Sequence, residues 1–378
     1  MRPLAVYTKF NLALSRALDC YLYDTQGRAI LDFYSGHGVI SIGHSHPHFV
    51  SRLKDQIDRL LYYSNAVDFE EQNLLCSVLG ALSGCENYDL FLANSGAEAI
   101  ENALKVASLA TGRKKVVAML NSFHGRTSLA AQCTEASSIC APINSGLDVQ
   151  FVAIGDHAAA SAAIDSGTAA VLIEGIQGVG GVREADTAFW QTLHRLAQEQ
   201  GALLIADEIQ SGYGRSGKFF AFQHHAVEPD VICTAKGMGN GYPIAATWVK
   251  QNWSLAVGSL GTTFGGNPLA SAAATAVCEV IAEQNLMSHA ADVGTFLQNG
   301  LRSLPGLNHV RGRGLMIGFD LDHDSTELRS RLLQKHSIIT GSARLKETVR
   351  LLPPLTITRY HCEIFLDQLS IALRSPKC

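Results

Sequence analysis

Reactive side chains cluster where short apolar runs end. Asp230-Val-Ile-Cys-Thr-Ala-Lys236-Gly-Met-Gly-Asn-Gly241 sends a β-branched run into a lysine followed by three glycines, the pattern of a buried strand delivering an amine into a tight turn. A buried ammonium is costly unless paired, so Lys236 is either ion-paired structure or an amine with a lowered pKa, ready to act as a nucleophile. Asp207 closes the apolar run 202–206, where a carboxylate needs a positive partner. Phe123 follows the run 115–119, Glu174 ends the run 170–173, and Gln210 lies just beyond Asp207. Ser95-Gly96-Ala97-Glu98 has the form of a capping box, and its glycine lets backbone N–H groups approach an anion at a helix start. Taken alone, plain capping explains that last motif as well.

Together these residues describe a pyridoxal 5'-phosphate site. An aspartate there keeps the ring nitrogen protonated, a lysine carries the cofactor as a Schiff base, an aromatic side chain covers the ring and a helix N-terminus takes the phosphate. The rival dinucleotide reading is weaker. Gly237-Met-Gly-Asn-Gly has the first two glycines of G-x-G-x-x-G but Tyr242 in the third place, and it lies late in the chain. His44, His46 and His48 crowd around Pro47, yet no carboxylate or thiol follows at ligand spacing and a helix begins at once, so they read as loop histidines and no metal is expected.

The elements that must hold these residues follow a regular beat. Strand-like runs at 90–92, 115–119, 149–154, 170–173, 202–206 and 231–235 alternate with helix-period stretches, predicting an α/β fold with a mostly parallel sheet covered on both faces. Ligands bind beyond the carboxyl ends of strands in such sheets, where the polar residues above fall. Ahead of this beat, Cys20-Tyr-Leu-Tyr-Asp-Thr-Gln-Gly-Arg-Ala-Ile-Leu-Asp-Phe reads as a hairpin around Thr25-Gln-Gly27. Val50, Leu53, Ile57, Leu60 and Leu61 share a face of a packing helix over 47–63, and Asp68 with Glu71 predicts a second, box-capped helix. An Ala-rich helix over 269–281 leads to a smaller α+β region with strand candidates at 311–319 and 348–354. The expected division is an N-terminal segment at 1–44 that packs with the small domain, a large cofactor domain at 45–270 and a small domain at 271–378.

The bulk composition narrows the field further. The 378 residues are 47% hydrophobic and 17% charged with a net charge of −4, which suits a soluble globular protein and gives no basic surface for nucleic acid. Nine cysteines, odd in number and without CxxC spacing, fit reduced thiols in the cytoplasm. No apolar run is long enough for a membrane span or a signal core.

Five motifs, Asn94-Ser-Gly-Ala-Glu98, Phe123-His-Gly-Arg-Thr127, Asp207-Glu-Ile-Gln210, Ala235-Lys-Gly237 and Thr262-Thr-Phe-Gly-Gly-Asn267, resemble the class III aminotransferases of the fold type I pyridoxal phosphate superfamily, and the likeness covers nearly the whole chain. Within it, the acetylornithine/succinylornithine aminotransferase branch of arginine biosynthesis is most similar, a likeness that Tyr23-Asp-Thr-Gln-Gly27 and Val349-Arg-Leu-Leu-Pro-Pro354 share. The resemblance implies that Lys236 bears the cofactor and shuttles the proton, Asp207 pairs with the ring nitrogen, Gln210 contacts the ring hydroxyl and Phe123 stacks on the ring. Ser95, Gly96 and Ala97 would bind the phosphate, joined by Thr263 from the other subunit of an obligate homodimer. Thr262 and Glu174 would sit near substrate. Arg126 would hold the α-carboxylate of an acylated ornithine, or the side-chain carboxylate of glutamate in the other half-reaction, in a bidentate fork.

One departure from the family pattern bears on substrate choice. Many relatives read Glu-Pro-x-Gln-Gly-Glu-Gly-Gly where this chain has Glu174-Gly-Ile-Gln-Gly-Val179-Gly-Gly. In ornithine-type relatives the second glutamate neutralises an arginine that aligns with Arg350. With Val179 in its place, Arg350 would be available to carboxylates in both half-reactions, which suits an acidic acyl group. The Gly-Val-Gly-Gly form also resembles a bacterial subgroup associated with succinylated intermediates. The expected activity is therefore transfer of the distal amine of N-acetyl- or N-succinylornithine to 2-oxoglutarate. The alternatives are another ω-aminotransferase, for ornithine, 4-aminobutyrate or a diamine, and a non-catalytic cofactor-binding protein.

Overall fold

Residues 1–374 are described in the computed structural model, and their strands form two seven-stranded sheets. In chain order the strands are β1 (Leu14–Leu18), β2 (Tyr21–Asp24), β3 (Ala29–Phe33), β4 (Tyr88–Ala93), β5 (Lys115–Met119), β6 (Asp148–Val152), β7 (Thr168–Glu174), β8 (Leu203–Asp207), β9 (Val231–Thr234), β10 (Ala245–Lys250), β11 (Asn308–Arg313), β12 (Met316–Asp320), β13 (Ile338–Ser342) and β14 (Thr348–Leu351). The larger sheet runs β4-β10-β9-β8-β7-β5-β6. Its β5, β6, β7, β8 and β9 pair in parallel, and β10 lies antiparallel between β4 and β9. Every residue of β7, β8 and β9 is buried, as expected where helices cover both faces.

The second sheet runs β1-β2-β3-β13-β14-β12-β11. The β2–β3 hairpin forms as its sequence predicts, and β3 then pairs in parallel with β13. Residues from both ends of the chain thus share one sheet. The loop after β3 reaches the larger sheet: Asn240 Oδ1 accepts the Ser41 and Ile42 N–H groups at 2.8 and 3.1 Å, and Ser41 Oγ donates to Gly237 O at 2.8 Å. The turn that carries Lys236 is therefore tied to the second sheet.

Several sequence expectations need correction. β10 and β13 were not anticipated, because Ala245-Ala-Thr-Trp-Val-Lys opens on weak strand formers and Ile338-Ile-Thr is cut short by Gly341. The single strand expected at 311–319 is an antiparallel hairpin of β11 and β12. Asp68 does not cap a helix; Glu70–Ser83 starts after Phe69, whose extended backbone accompanies a ring only 5% exposed, so burial of the ring outweighs the cap. On the helix Pro47–Arg59 the buried residues are Phe49 and Gln56. Ile57 on that helix, and Leu60 and Leu61 just after it, are exposed. The three loop histidines disperse to separate partners, His44 to Asp32 at 2.9 Å, His48 to Glu279 at 2.6 Å and His46 to Gln284 at 3.2 Å.

Candidate active site

A cavity of about 300 Å³ opens at the carboxyl ends of β4, β5, β7, β8 and β9, and Ser95, Gly96, Ala97, Phe123, Glu174, Asp207, Gln210 and Lys236 all line it. Ser95 caps the helix Gly96–Thr111, its Oγ accepting the Glu98 N–H at 3.3 Å. The reciprocal half of the box is displaced by one residue, since the Glu98 carboxylate takes the Asn94 N–H at 2.6 Å. Gly96 is required by space, as a Cβ there would lie 2.9 Å from Ile209 Cδ1. A 16-residue helix thus starts at the cavity wall, and its exposed N–H groups and dipole suit an anion.

The carboxylates of this floor are held by short contacts. Asp207 Oδ2 lies 2.7 Å from His124 Nδ1 and Oδ1 accepts the Ile209 N–H at 3.0 Å, with both side chains buried. Glu174 accepts the Phe123 N–H at 2.9 Å and the Gly178 N–H at 3.0 Å; it therefore fixes the backbone beneath the aromatic ring. Burial pushes the Glu174 carboxyl up to about 7, opposed by the neighbouring His124. Lys236 sits on the turn after β9 with φ 45°, and among the described residues its Nζ has no hydrogen bond or salt bridge. Burial lowers its pKa, while Asp207 and Glu174 pull the other way. A lysine so placed has the character of a reactive amine, because a structural lysine would have its ion-pair partner in contact.

The remaining candidates form a rim. Gln210 donates Nε2 to His37 O at 2.9 Å and accepts Arg350 Nη1 at 3.0 Å. Arg350 is buried, donates Nε to Ser342 O at 2.5 Å, and makes no salt bridge among the described residues. Burial lowers its pKa to about 10. Val179 lines the cavity. Arg126 is exposed outside the lining residues and acts on His37 through its charge. Thr262 Oγ1 accepts Asn94 Nδ2 at 3.2 Å. Thr263 is exposed and away from its own chain's cavity, with its carbonyl accepting the Tyr62 hydroxyl at 3.2 Å.

Sequence reading assigned no role to His124, Asn240 or His37. His124 lay inside a quoted motif, and the need of Asp207 for a partner was a usable signal. Asn240 bonds Ser41 and Ile42 across 199 and 198 residues, and Gln210 bonds the His37 carbonyl across 173, separations that motif spacing does not reveal. His124 Nε2 is buried without a hydrogen-bond partner, so Nδ1 is the nitrogen that faces the carboxylate and sets its orientation.

A family model described as Aminotransferase class-III matches residues 5–373. The chain belongs to the class III aminotransferases. It is 38% identical to the acetylornithine aminotransferase of Archaeoglobus fulgidus, with 94% of each chain covered. It is also 38% identical to a putative [LysW]-aminoadipate semialdehyde/glutamate semialdehyde transaminase of Pyrococcus furiosus, again over 94% of each. In structure it superposes on an ornithine aminotransferase of Toxoplasma gondii, described with partial occupancy of PLP at its active site, with a TM-score of 0.90, 28% identity and coverage of 98% of this chain and 91% of that one. This class III aminotransferase therefore has the fold type I architecture, and pyridoxal 5'-phosphate is its cofactor.

The cavity fits that group. A helix N-terminus too tight for a Cβ at Gly96, together with Phe123, Asp207 and the unpartnered Lys236, surrounds one space. When bound, pyridoxal phosphate supplies an electrophilic carbonyl and a cationic ring able to take up electrons from the substrate. The chain's own residues do the rest. The Ser95 helix would hold the phosphate, Asp207 backed by His124 would face the ring nitrogen, and Lys236 Nζ would serve as the proton carrier.

Proposed function

We propose that this aminotransferase moves the distal amine of an N2-acyl-ornithine, N-acetyl or N-succinyl, to 2-oxoglutarate, giving the acyl-glutamate semialdehyde and glutamate, as a cytoplasmic step of arginine biosynthesis. The relatives named acetylornithine aminotransferase support the substrate class. The observation that carries the reading is Arg350, a guanidinium at the cavity edge whose hydrogen-bond partners are a carbonyl and an amide rather than a carboxylate. An unneutralised buried cation favours a substrate that brings its own acid. Arg126 takes the α-carboxylate in this reading, and the succinyl form is preferred. In the glutamate half-reaction the same two arginines take the two carboxylates.

The working unit in this reading is a homodimer with shared sites. Leu60, Leu61, Tyr62, Tyr63 and Phe264 expose apolar surface, and Tyr62 packs on Phe264 beside Thr263 with ring centroids 5.3 Å apart. Burying that patch against a second copy would bring Thr263 to the partner's phosphate. The proposed division is 1–44, 45–270 and 271–378; the grouping of β1, β2 and β3 in one sheet with β11, β12, β13 and β14 supports it. The deciding experiment is a half-reaction screen of the purified holoenzyme against N-acetylornithine, N-succinylornithine, ornithine and 4-aminobutyrate, followed by loss of the cofactor's aldehyde-form absorbance. Acyl-ornithines should react fastest. Faster reaction with free ornithine or 4-aminobutyrate replaces this reading with that of another ω-aminotransferase, and a clear preference for acetyl over succinyl removes the role given to Arg350.

A further inference from the structure

The segment 34–39 makes a turn whose backbone is held in an unfavourable form. Ser35, Gly36, His37 and Gly38 have φ of 51°, 54°, 71° and 76°, and left-handed values are uncommon for residues with a side chain. Such a conformation persists only where its surroundings over-determine it. Here Asp32 Oδ1 accepts the Tyr34 and Ser35 N–H groups at 2.9 and 2.7 Å, and Gln210 Nε2 holds the His37 carbonyl at 2.9 Å. Gln210 is also the side chain that accepts from Arg350, so one amide links the turn to the unneutralised guanidinium.

The second sheet brings the same groups together independently. Its register pairs Phe33 with Thr340 and Arg350 with Gly341, which sets the residue after Phe33 beside Arg350. The Tyr34 ring packs where a Cβ at Gly341 would lie 2.8 Å away, and the Tyr34 hydroxyl lies 2.5 Å from His37 Nδ1. His37 is exposed at the protein surface, and the neighbouring side chains still screen its ring from part of the solvent. Burial, then Arg350, Lys236 and Arg126 in turn, lowers its pKa to about 4, so near neutral pH the imidazole hydrogen-bonds without adding charge. A phenol and a neutral imidazole in contact, beside a guanidinium whose charge acts on both and whose partners among the described residues include no carboxylate, have the donor chemistry of a carboxylate seat.

We propose that Tyr34 and His37, on this turn beside Arg350, read the carboxylate at the far end of a dicarboxylic acyl group, which makes His37 a specificity-determining residue for succinyl over acetyl. The inference rests on the acyl-ornithine reading above. A neutral acetyl group leaves these polar atoms unpaired, and sites built around polar partners reject analogues that lack them. The fixed turn adds to this, because the ring is already ordered before substrate arrives.

The test uses His37→Gly, which removes the ring and suits a positive φ, and Tyr34→Phe, which removes only the hydroxyl. The holoenzymes are titrated calorimetrically with N-succinylnorvaline and N-acetylnorvaline, which lack the reacting amine, and kcat/KM is measured with the two acyl-ornithines. The wild type should bind the succinyl analogue more tightly. His37→Gly should lower the succinyl-to-acetyl ratio about tenfold in both measurements, through KM in the kinetic one, and Tyr34→Phe should lower it in the same direction. Equal losses for both ligands, or no loss in either variant, overturn the inference. A wild type that reacts with neither acyl-ornithine fails the underlying reading, an outcome visible before any variant is made.

Discussion

The floor and the rim of the cavity solve opposite electrostatic problems. At the floor, strand-end carboxylates are matched by donors: Asp207 by His124 and a backbone N–H, Glu174 by two backbone N–H groups, and Glu208 by Ser211 and two more. At the rim, Arg350 and Arg126 lack carboxylate partners among the described residues. Buried groups that are fully satisfied are rigid and specify one geometry, whereas an unpaired cation is a vacancy for an anion. In the proposed reading the contrast places the reaction on the large sheet and substrate choice on a rim drawn from both sheets, with Arg126 in the segment after β5 and Arg350 on β14.

The strongest way to break this division is at the amine. Lys236→Ala should abolish multiple turnover while some cofactor binding survives, read by steady-state assay and absorbance; retained steady-state activity would overturn the whole mechanism. At the rim, Arg350→Gln should lower kcat/KM for dicarboxylic substrates by about 10²-fold, mainly through KM, as expected for losing a charge-assisted hydrogen bond of about 1.5–3 kcal/mol. A loss confined to kcat would move Arg350 into the floor.

Glu208 tests the floor without touching the cavity lining. Its carboxylate accepts Ser211 Oγ at 2.7 Å and the Ala221 and Phe222 N–H groups at 3.0 and 2.8 Å, and burial raises its pKa from 4.5 to about 7. The folded state therefore binds this proton more readily than the unfolded one. The resulting stabilisation is fully present below about pH 4.5 and is lost as pH rises through about 7. Glu208→Gln should cost about 1–3 kcal/mol, because its amide turns N–H groups towards donors. Denaturant unfolding should show a wider gap between wild type and variant at pH 5 than at pH 8. A gap that widens with pH would reverse the sign assigned to burial.

The smallest expected effect sharpens the rim. Val179 follows Gly178, where an added side-chain carbon would come within 3.2 Å of Arg350 Nη1, so Val179→Glu should supply the missing counter-charge. The succinyl-to-acetyl ratio of kcat/KM should fall by several-fold to about tenfold, the range of one partly exposed charge contact. An unchanged ratio would separate Arg350 from acyl recognition.

Much of the floor was legible in the sequence because it depends on local pattern. Apolar runs ending in Glu174, Asp207 and Lys236, and a Ser95-Gly-Ala-Glu98 helix start, mark strand ends and a capped helix within a few residues of each reactive group. β10 escaped because it opens on two alanines and β13 because its β-branched run stops after three residues at Gly341, and Asp68 misled because a capping pattern is worth less than burying Phe69. His37 and Asn240 escaped for another reason: their roles lie in hydrogen bonds to Tyr34, Gln210, Ser41 and Ile42, and these depend on how the loop after β3 crosses between sheets.

The sequence by itself determined the mostly parallel α/β frame and placed Lys236, Asp207 and the capped helix start at Ser95 around one cavity, because each follows from periodicity and from the cost of placing a polar group at the end of an apolar strand. Only the tertiary structure decided which groups neutralise one another. It gave Asp207 a histidine, gave Glu174 and Glu208 backbone donors, and left Arg350 beside Tyr34 and His37 without a carboxylate. Charge pairing depends on distances of a few ångströms between residues far apart in the chain, and those distances exist only once the two sheets have packed.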